Sequence, residues 1–340
     1  MLAARLHDGE SSLRVEAIEV PTPPPGECLV QVAACGVCGS DLHILDGETD
    51  ADLPLTLGHE AAGIISAVGD GSEGFAPGDR VFIDPILVCG FCALCRSGRS
   101  HICPRRRIIG VNRDGAFAEF VCVPETNLVP LPPSLSLDHA AMIESASTVF
   151  HALTKRSPPL AGERVAVVGV GGLGFHAVAI AVLLGAAEVL AIDVNEIALE
   201  RALGRGATSA FDGRGGDVTR AVRQATGGGV AVAVECVGTP QARATAFGCL
   251  QRGGCAVLVG VGNDQLVGPS ADRFVAQEFE ARGVFAYARD EIERVVRLAS
   301  SGRLDLGAAI SERFPLSEIT EAVESFRDKA RSPVRVLVNP

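Results

Sequence analysis

The segment Val165-Ala166-Val167-Val168-Gly169-Val170-Gly171-Gly172-Leu173-Gly174 reads as a buried strand running directly into a G-x-G-x-x-G turn. A helix-like stretch, Leu173–Leu184, and a second apolar strand, Val189–Ile192, follow it. In this context Gly169 permits the tight turn, and Gly171 lets the backbone approach a pyrophosphate. Gly174 allows close helix–strand packing, and Gly172 and Leu173 complete a loop whose phosphates sit at the helix N-terminus. Asp193 stands nineteen residues after Gly174, at the end of the second strand. It is placed to accept hydrogen bonds from both ribose hydroxyls of an adenosine. Its charge repels a 2′-phosphate, and Val194 and Asn195 supply no cation, so the pattern favours NAD over NADP. A membrane span competes for the same residues, since only His176 and Glu188 interrupt the apolar and glycine run from Val165 to Ile192. The clustered glycines and Gly185 fit strand, turn, helix and strand better.

Downstream the alternation continues. Ala210–Phe211, Val230–Val237, Ala256–Val261 and Val284–Tyr287 read as strands, with helices at Asn195–Leu203, Asp217–Gln224 and Gln241–Leu250 between most of them. Such alternation predicts an α/β, doubly wound parallel sheet. Upstream the texture differs: short β segments such as Cys28–Ala34, Gly63–Val68 and Arg80–Ile83 are broken by Pro and Gly, and Pro21–Pro25 must be a surface connection. The tail holds an amphipathic stretch, Arg289–Ser300, and a strand near Val334–Val338. The expected division is therefore a β-rich domain over 1–150, a dinucleotide-binding domain over 151–287, and a segment over 288–340 that returns to the first domain.

A chain of 340 residues suggests two domains, and 47% hydrophobic with 21% charged residues suggests well-packed ones. A net charge of −11 argues against a nucleic-acid partner. No basic stretch followed by an apolar one opens the chain, which points to a cytoplasmic protein with no membrane partner.

The eleven cysteines are odd in number, and four fall within fifteen residues, in the pattern Cys89-x2-Cys92-x2-Cys95-x7-Cys103. Clustered cysteines without an export signal point to metal rather than disulfides. Short C-x-x-C steps wrap one tetrahedral zinc; an iron–sulfur cluster takes the same ligands. Four protein ligands leave no open position, so the site is structural.

Two further stretches join thiol, imidazole and carboxylate: Gly36-Val-Cys38-Gly-Ser40-Asp41-Leu-His43 and Gly58-His59-Glu60-x2-Gly63. A catalytic zinc needs three protein ligands and one open position. With these motifs, the cysteine lobe and the glycine turn in this order, the chain resembles the zinc-dependent medium-chain alcohol and polyol dehydrogenases. Gly78-Asp-Arg-Val81 and Asp114-Gly-Ala-Phe-Ala-Glu-Phe120 extend the resemblance over almost the whole chain.

The resemblance implies a GroES-like β-rich catalytic domain followed by a Rossmann domain, two zincs per chain, NAD, and a homodimer or homotetramer. It implies that Cys38 and His59 are the first two ligands of the catalytic zinc and that Glu144 is the third, as in the polyol branch, with Glu60 a competitor. Asp41 then orients His59. Ser40 takes the alcohol proton, which passes by way of the cofactor ribose to His43, and Thr148 lies against the nicotinamide. The small-molecule substrate is a secondary alcohol, a polyol or a sugar-like alcohol, converted to ketone or aldehyde. Gly39 departs from members that carry a basic residue there. Arg105–Arg107 reads as a solvated surface run or as a site for an anionic substrate. Two other functions share the scaffold: a zinc- and NAD-binding sensor without turnover, and a zinc-free enoyl or quinone reductase.

Overall fold

The computed structural model describes every residue except Gly216 and Lys329. The chain forms two compact units, one of Met1–Glu144, Ala288–Asp328 and Pro333–Pro340, the other of Ser145–Tyr287 and Lys329–Ser332. The sequence put the first change of domain at 150/151, a position inside the helix Ile143–Lys155. Helical periodicity runs through this element without a break, so nothing local marks the change.

The first unit is built around the strand Glu27–Val37, which pairs antiparallel with Glu60–Val68, Phe120–Pro124 and the late strand Arg335–Asn339. Arg80–Ile83 and Leu128–Pro130 extend the sheet on one side, and Ile310–Pro315 joins Arg335–Asn339 in parallel on the other. Leu2–Leu6, Arg14–Ala17 and Leu55–Thr56 form a separate three-stranded sheet. Val30, Val32, Cys35, Ile65, Val81, Ile83, Phe117, Val336 and Val338 share one core. Burying side chains of this size, at roughly 1.5–3 kcal/mol each, is what holds strands so distant in sequence together.

The second unit is a six-stranded parallel sheet. From edge to edge run Ser209–Asp212, Glu188–Asp193, Arg164–Val168, Val230–Glu235, Leu250–Leu258 and Glu280–Gly283. Strand order reverses between Arg164–Val168 and Val230–Glu235, and ligands bind at such a switch point in doubly wound sheets. The central strands are nearly continuous Val, Ala, Ile and Leu because helices cover both faces.

One expected strand is corrected. Val284–Tyr287 is not a strand; the last strand is Glu280–Gly283, four residues earlier. An edge strand needs few apolar residues, whereas the apolar tetrapeptide leaves the sheet, with Ala286 at φ 48° and Tyr287 buried. Among the described residues no helix is long and apolar enough to cross a membrane.

Candidate metal and cofactor sites

In the second unit the chain leaves Arg164–Val168 through Gly169, at φ 82°, and enters the helix Gly172–Leu183 with Gly171 at its N-cap. A Cβ on Gly174 would lie 1.8 Å from the Gly169 carbonyl oxygen, so only glycine lets the helix begin this close to the strand. Around Gly171 a Cβ would meet nothing within 4 Å. This open backbone borders a cavity of about 540 Å³ lined by Gly169, Gly171, Asp193, Val194, Gly213 and Thr239, among others. That is the size of a small-molecule site. Asp193 is fixed before any ligand arrives: its carboxylate accepts from the amides of Val170 (2.8 Å) and Asn195 (2.9 Å). The residues fit a dinucleotide, with the helix N-terminus available for phosphate and a fixed acid for ribose.

In the cysteine lobe, the Sγ–Sγ distances are 3.9 Å for Cys89–Cys95, 3.5 Å for Cys92–Cys95, 3.9 Å for Cys92–Cys103 and 3.6 Å for Cys103–Cys89. Four sulfurs at about 2.3 Å from one tetrahedral zinc stand about 3.8 Å apart, and disulfide sulfurs only about 2 Å. The lobe therefore has the dimensions of a metal tetrahedron. Backbone amides aim at the sulfurs: those of Phe91 and then Cys92 push the Cys89 thiol down to about 6. The Cys95 amide lowers Cys92, while desolvation carries Cys95 up to about 12.

The other cluster lies in the first unit. Cys38 caps the short helix Gly39–Leu45, His59 follows Gly58, and Glu60 opens the strand Glu60–Val68. Gly58 is at φ 93°, and a Cβ there would press 2.8 Å from the Phe117 amide nitrogen, so the turn that aims His59 inward requires glycine. Ligand atoms of Cys38, His59 and Glu60 all lie within 4.8 Å of one another. Buried Asp41 accepts from the Cys38 amide at 2.9 Å and stands 3.4 Å from His59 Nδ1. Burial opposes charge on His59, but Asp41 and then Cys38 outweigh it and hold the imidazole well above its ordinary value.

Glu60, fully buried, takes Arg335 Nε on Oε2 at 3.1 Å, while its Oε1 has no hydrogen-bond partner. Asp41 Oδ1 and His59 Nδ1 are buried too and face each other in the 3.4 Å ion pair. Glu144 belongs to the same electrostatic group without entering the set of three: burial, then the Glu60 carboxylate, pushes it up to about 7. An orphaned buried carboxylate oxygen, Glu60 Oε1, beside a thiol and an imidazole is what a bound cation would satisfy, so the donors fit zinc.

Ser40 Oγ lies 3.8 Å from Cys38 Sγ, and His43 Nδ1 is 2.6 Å from Glu48 Oε2. Thr148 is one turn beyond Glu144 in the helix Ile143–Lys155. Of the anionic-site candidates, Arg105 stacks on Phe91 and Arg107 donates to the Asn112 carbonyl. Sequence reasoning missed Arg335 and Glu48. Arg335 lies 275 residues from Glu60 and has no local signature, whereas an acid five residues after His43 was a readable signal.

Comparison with known proteins agrees with this geometry. Residues 24–133 match the alcohol dehydrogenase GroES-like domain, and residues 172–301 match the zinc-binding dehydrogenase domain. Sorbitol dehydrogenase of Bacillus subtilis is 32% identical over 100% of this chain and 97% of its own. An alcohol dehydrogenase of Geobacillus stearothermophilus is 32% identical, covering 95% of each. A candidate zinc-binding dehydrogenase of Sinorhizobium meliloti, solved bound to NADP, superposes with a TM-score of 0.93 at 33% identity over 100% of this chain and 99% of that one. Two domains in the same order, over the full length, make this chain a member of the zinc-binding medium-chain alcohol dehydrogenase family, an alcohol oxidoreductase with a GroES-like domain and a Rossmann domain.

Proposed function

We propose that the protein is a zinc- and NAD-dependent dehydrogenase that interconverts a secondary alcohol, polyol or sugar-like alcohol with its ketone or aldehyde. The observation that carries this reading is the set Cys38, His59 and Glu60, whose ligand atoms lie within 4.8 Å of one another with Glu60 Oε1 left unsatisfied. Zinc, when bound, supplies the Lewis acid for the alcohol oxygen, and NAD supplies the hydride acceptor.

The chain's own residues do the rest. Cys38 and His59 hold the metal, with Asp41 orienting the imidazole. Glu144 completes the shell, and Glu60, steadied by Arg335, stands in as the alternative carboxylate. Ser40 Oγ receives the hydroxyl proton. His43, one helical turn on, takes it up with its Nδ1 side anchored by Glu48, leaving Nε2 to exchange the proton. Thr148 packs beside the nicotinamide, and Gly169–Gly174 with Asp193 seat the adenosine and phosphates. The thiols of Cys89, Cys92, Cys95 and Cys103 hold the second, structural zinc. The assembly is a homodimer or homotetramer acting in the cytoplasm.

The test combines metal analysis with NADH absorbance across a panel of polyols, secondary alcohols and sugar alcohols. About two zincs per chain and turnover of at least one class are expected. Full zinc loading without turnover would favour the sensor, and one zinc per chain would weaken the two-zinc reading.

A further inference from the structure

The NAD-binding reading above leaves open why NADP should be refused, since a relative of the same fold has been solved with NADP bound. The loop next to the adenosine cavity holds a cation that the motif did not reveal. Asp193 and Asp212 end adjacent parallel strands in register, about 4.8 Å apart across the sheet. Gly213, which lines the cavity beside Asp193, donates its amide to the Asp193 carbonyl at 2.8 Å. The next residue is Arg214.

Arg214 does not stand free. Its Nε donates to both carboxylate oxygens of Asp212, at 2.9 and 3.0 Å, and Nη2 donates to Asp212 Oδ2 at 2.7 Å. The same Nη2 reaches Glu196 Oε1 at 2.7 Å, at the start of the helix Glu196–Gly204. The backbone amide of Arg214 also donates to Asp212 Oδ1 at 2.9 Å. One exposed ion pair is weak, but a planar guanidinium held by two carboxylates is a bidentate network of greater rigidity. Two carboxylates, Glu196 and Asp212, hold this one guanidinium, for a net of one negative charge, and Asp193 ends the neighbouring strand.

We propose that Glu196 and Asp212 are specificity-determining residues: they clamp Arg214, the cation that follows the cavity-lining Gly213, and so withhold it from a 2′-phosphate. Discrimination against NADP then has two parts. Asp193 repels the phosphate directly. The clamp denies it the guanidinium that a 2′-phosphate site ordinarily uses. Displacing Asp212 and Glu196 from Arg214 would leave two carboxylates unpaired beside a dianion, so the phosphate gains nothing by competing.

The proposal rests on the NAD reading, and the test separates the two. NAD and NADP are titrated calorimetrically into the full chain and into a Glu196→Gln/Asp212→Asn variant, with Asp193 intact. The amides retain acceptors for the loop while removing both charges. The ratio of the NADP to the NAD dissociation constant is expected to fall about tenfold in the variant, as two screened like charges are removed and one cation is freed. Adding Arg214→Ala is expected to remove most of this gain, leaving only the part due to the lost like-charge repulsion. An unchanged ratio in the double variant, or a gain equally large with and without Arg214, would overturn the clamp alone. Tighter binding of NADP than NAD by the unaltered chain would overturn the NAD reading, and the clamp with it.

Discussion

Asp84 is a carboxyl turned inward with little to support its charge. Its Oδ1 accepts one amide, that of Ile86, at 3.1 Å, and Arg289 lies farther off. Desolvation prevails over both and raises it from 3.8 to about 6. The folded chain therefore binds this proton more tightly than the unfolded chain does. Stability contributed at this position falls as pH rises from about 4 to about 6, and the penalty is complete above that window. Asp84→Asn keeps the acceptor and removes the charge. It is expected to match the wild type below about pH 4 and to exceed it by about 2–3 kcal/mol at pH 8. Thermal unfolding of both proteins across this range checks the sign; a variant less stable at pH 8 would contradict it.

At the scale of elements, the cysteine lobe and the Cys38–His59–Glu60 cluster should fail differently. Cys95→Ala breaks a tetrahedron that ties a loop together, so the melting temperature should fall by about 5–10 °C. Cys38→Ala removes a ligand from a site whose walls are already packed strands. Activity should fall more than about 100-fold while the melting point stays within a few degrees. Equal destabilisation by the two would erase the distinction. The same contrast explains what could be read from the sequence. The lobe was legible because all four thiols lie within fifteen residues, and the strand–glycine turn–helix because strands buried on both faces leave uninterrupted apolar runs. The last strand was misplaced because its residues, Glu280–Gly283, are polar and at a sheet edge. Partners such as Arg335 for Glu60, or Glu196 for Arg214, are products of tertiary folding and leave no period in the sequence.

At the scale of the whole molecule, the first unit is discontinuous. Arg335–Asn339 pairs with Glu27–Val37, Ile310–Pro315 pairs beyond it, and Arg335 supplies the counter-charge to Glu60. A fragment of residues 1–287 lacks both strands and leaves Glu60 buried without its cation, a loss of about 3–5 kcal/mol at that position alone. Hydrogen exchange should then find Glu27–Val37 poorly protected in the fragment, while Arg164–Val168 and its neighbours keep the protection they have in the full chain. Equal protection of Glu27–Val37 in both would show the unit to be complete without its tail.

Arg335 also sets a schedule. Translation exposes the four lobe thiols well before Arg335, and they can gather around a metal while that strand has yet to be made. The pocket around Cys38 and His59 has no such head start, because its arginine comes far later in the chain than the lobe. On the proposed two-zinc reading the two sites run on different clocks, and a cell short of zinc during synthesis would fill the structural one first.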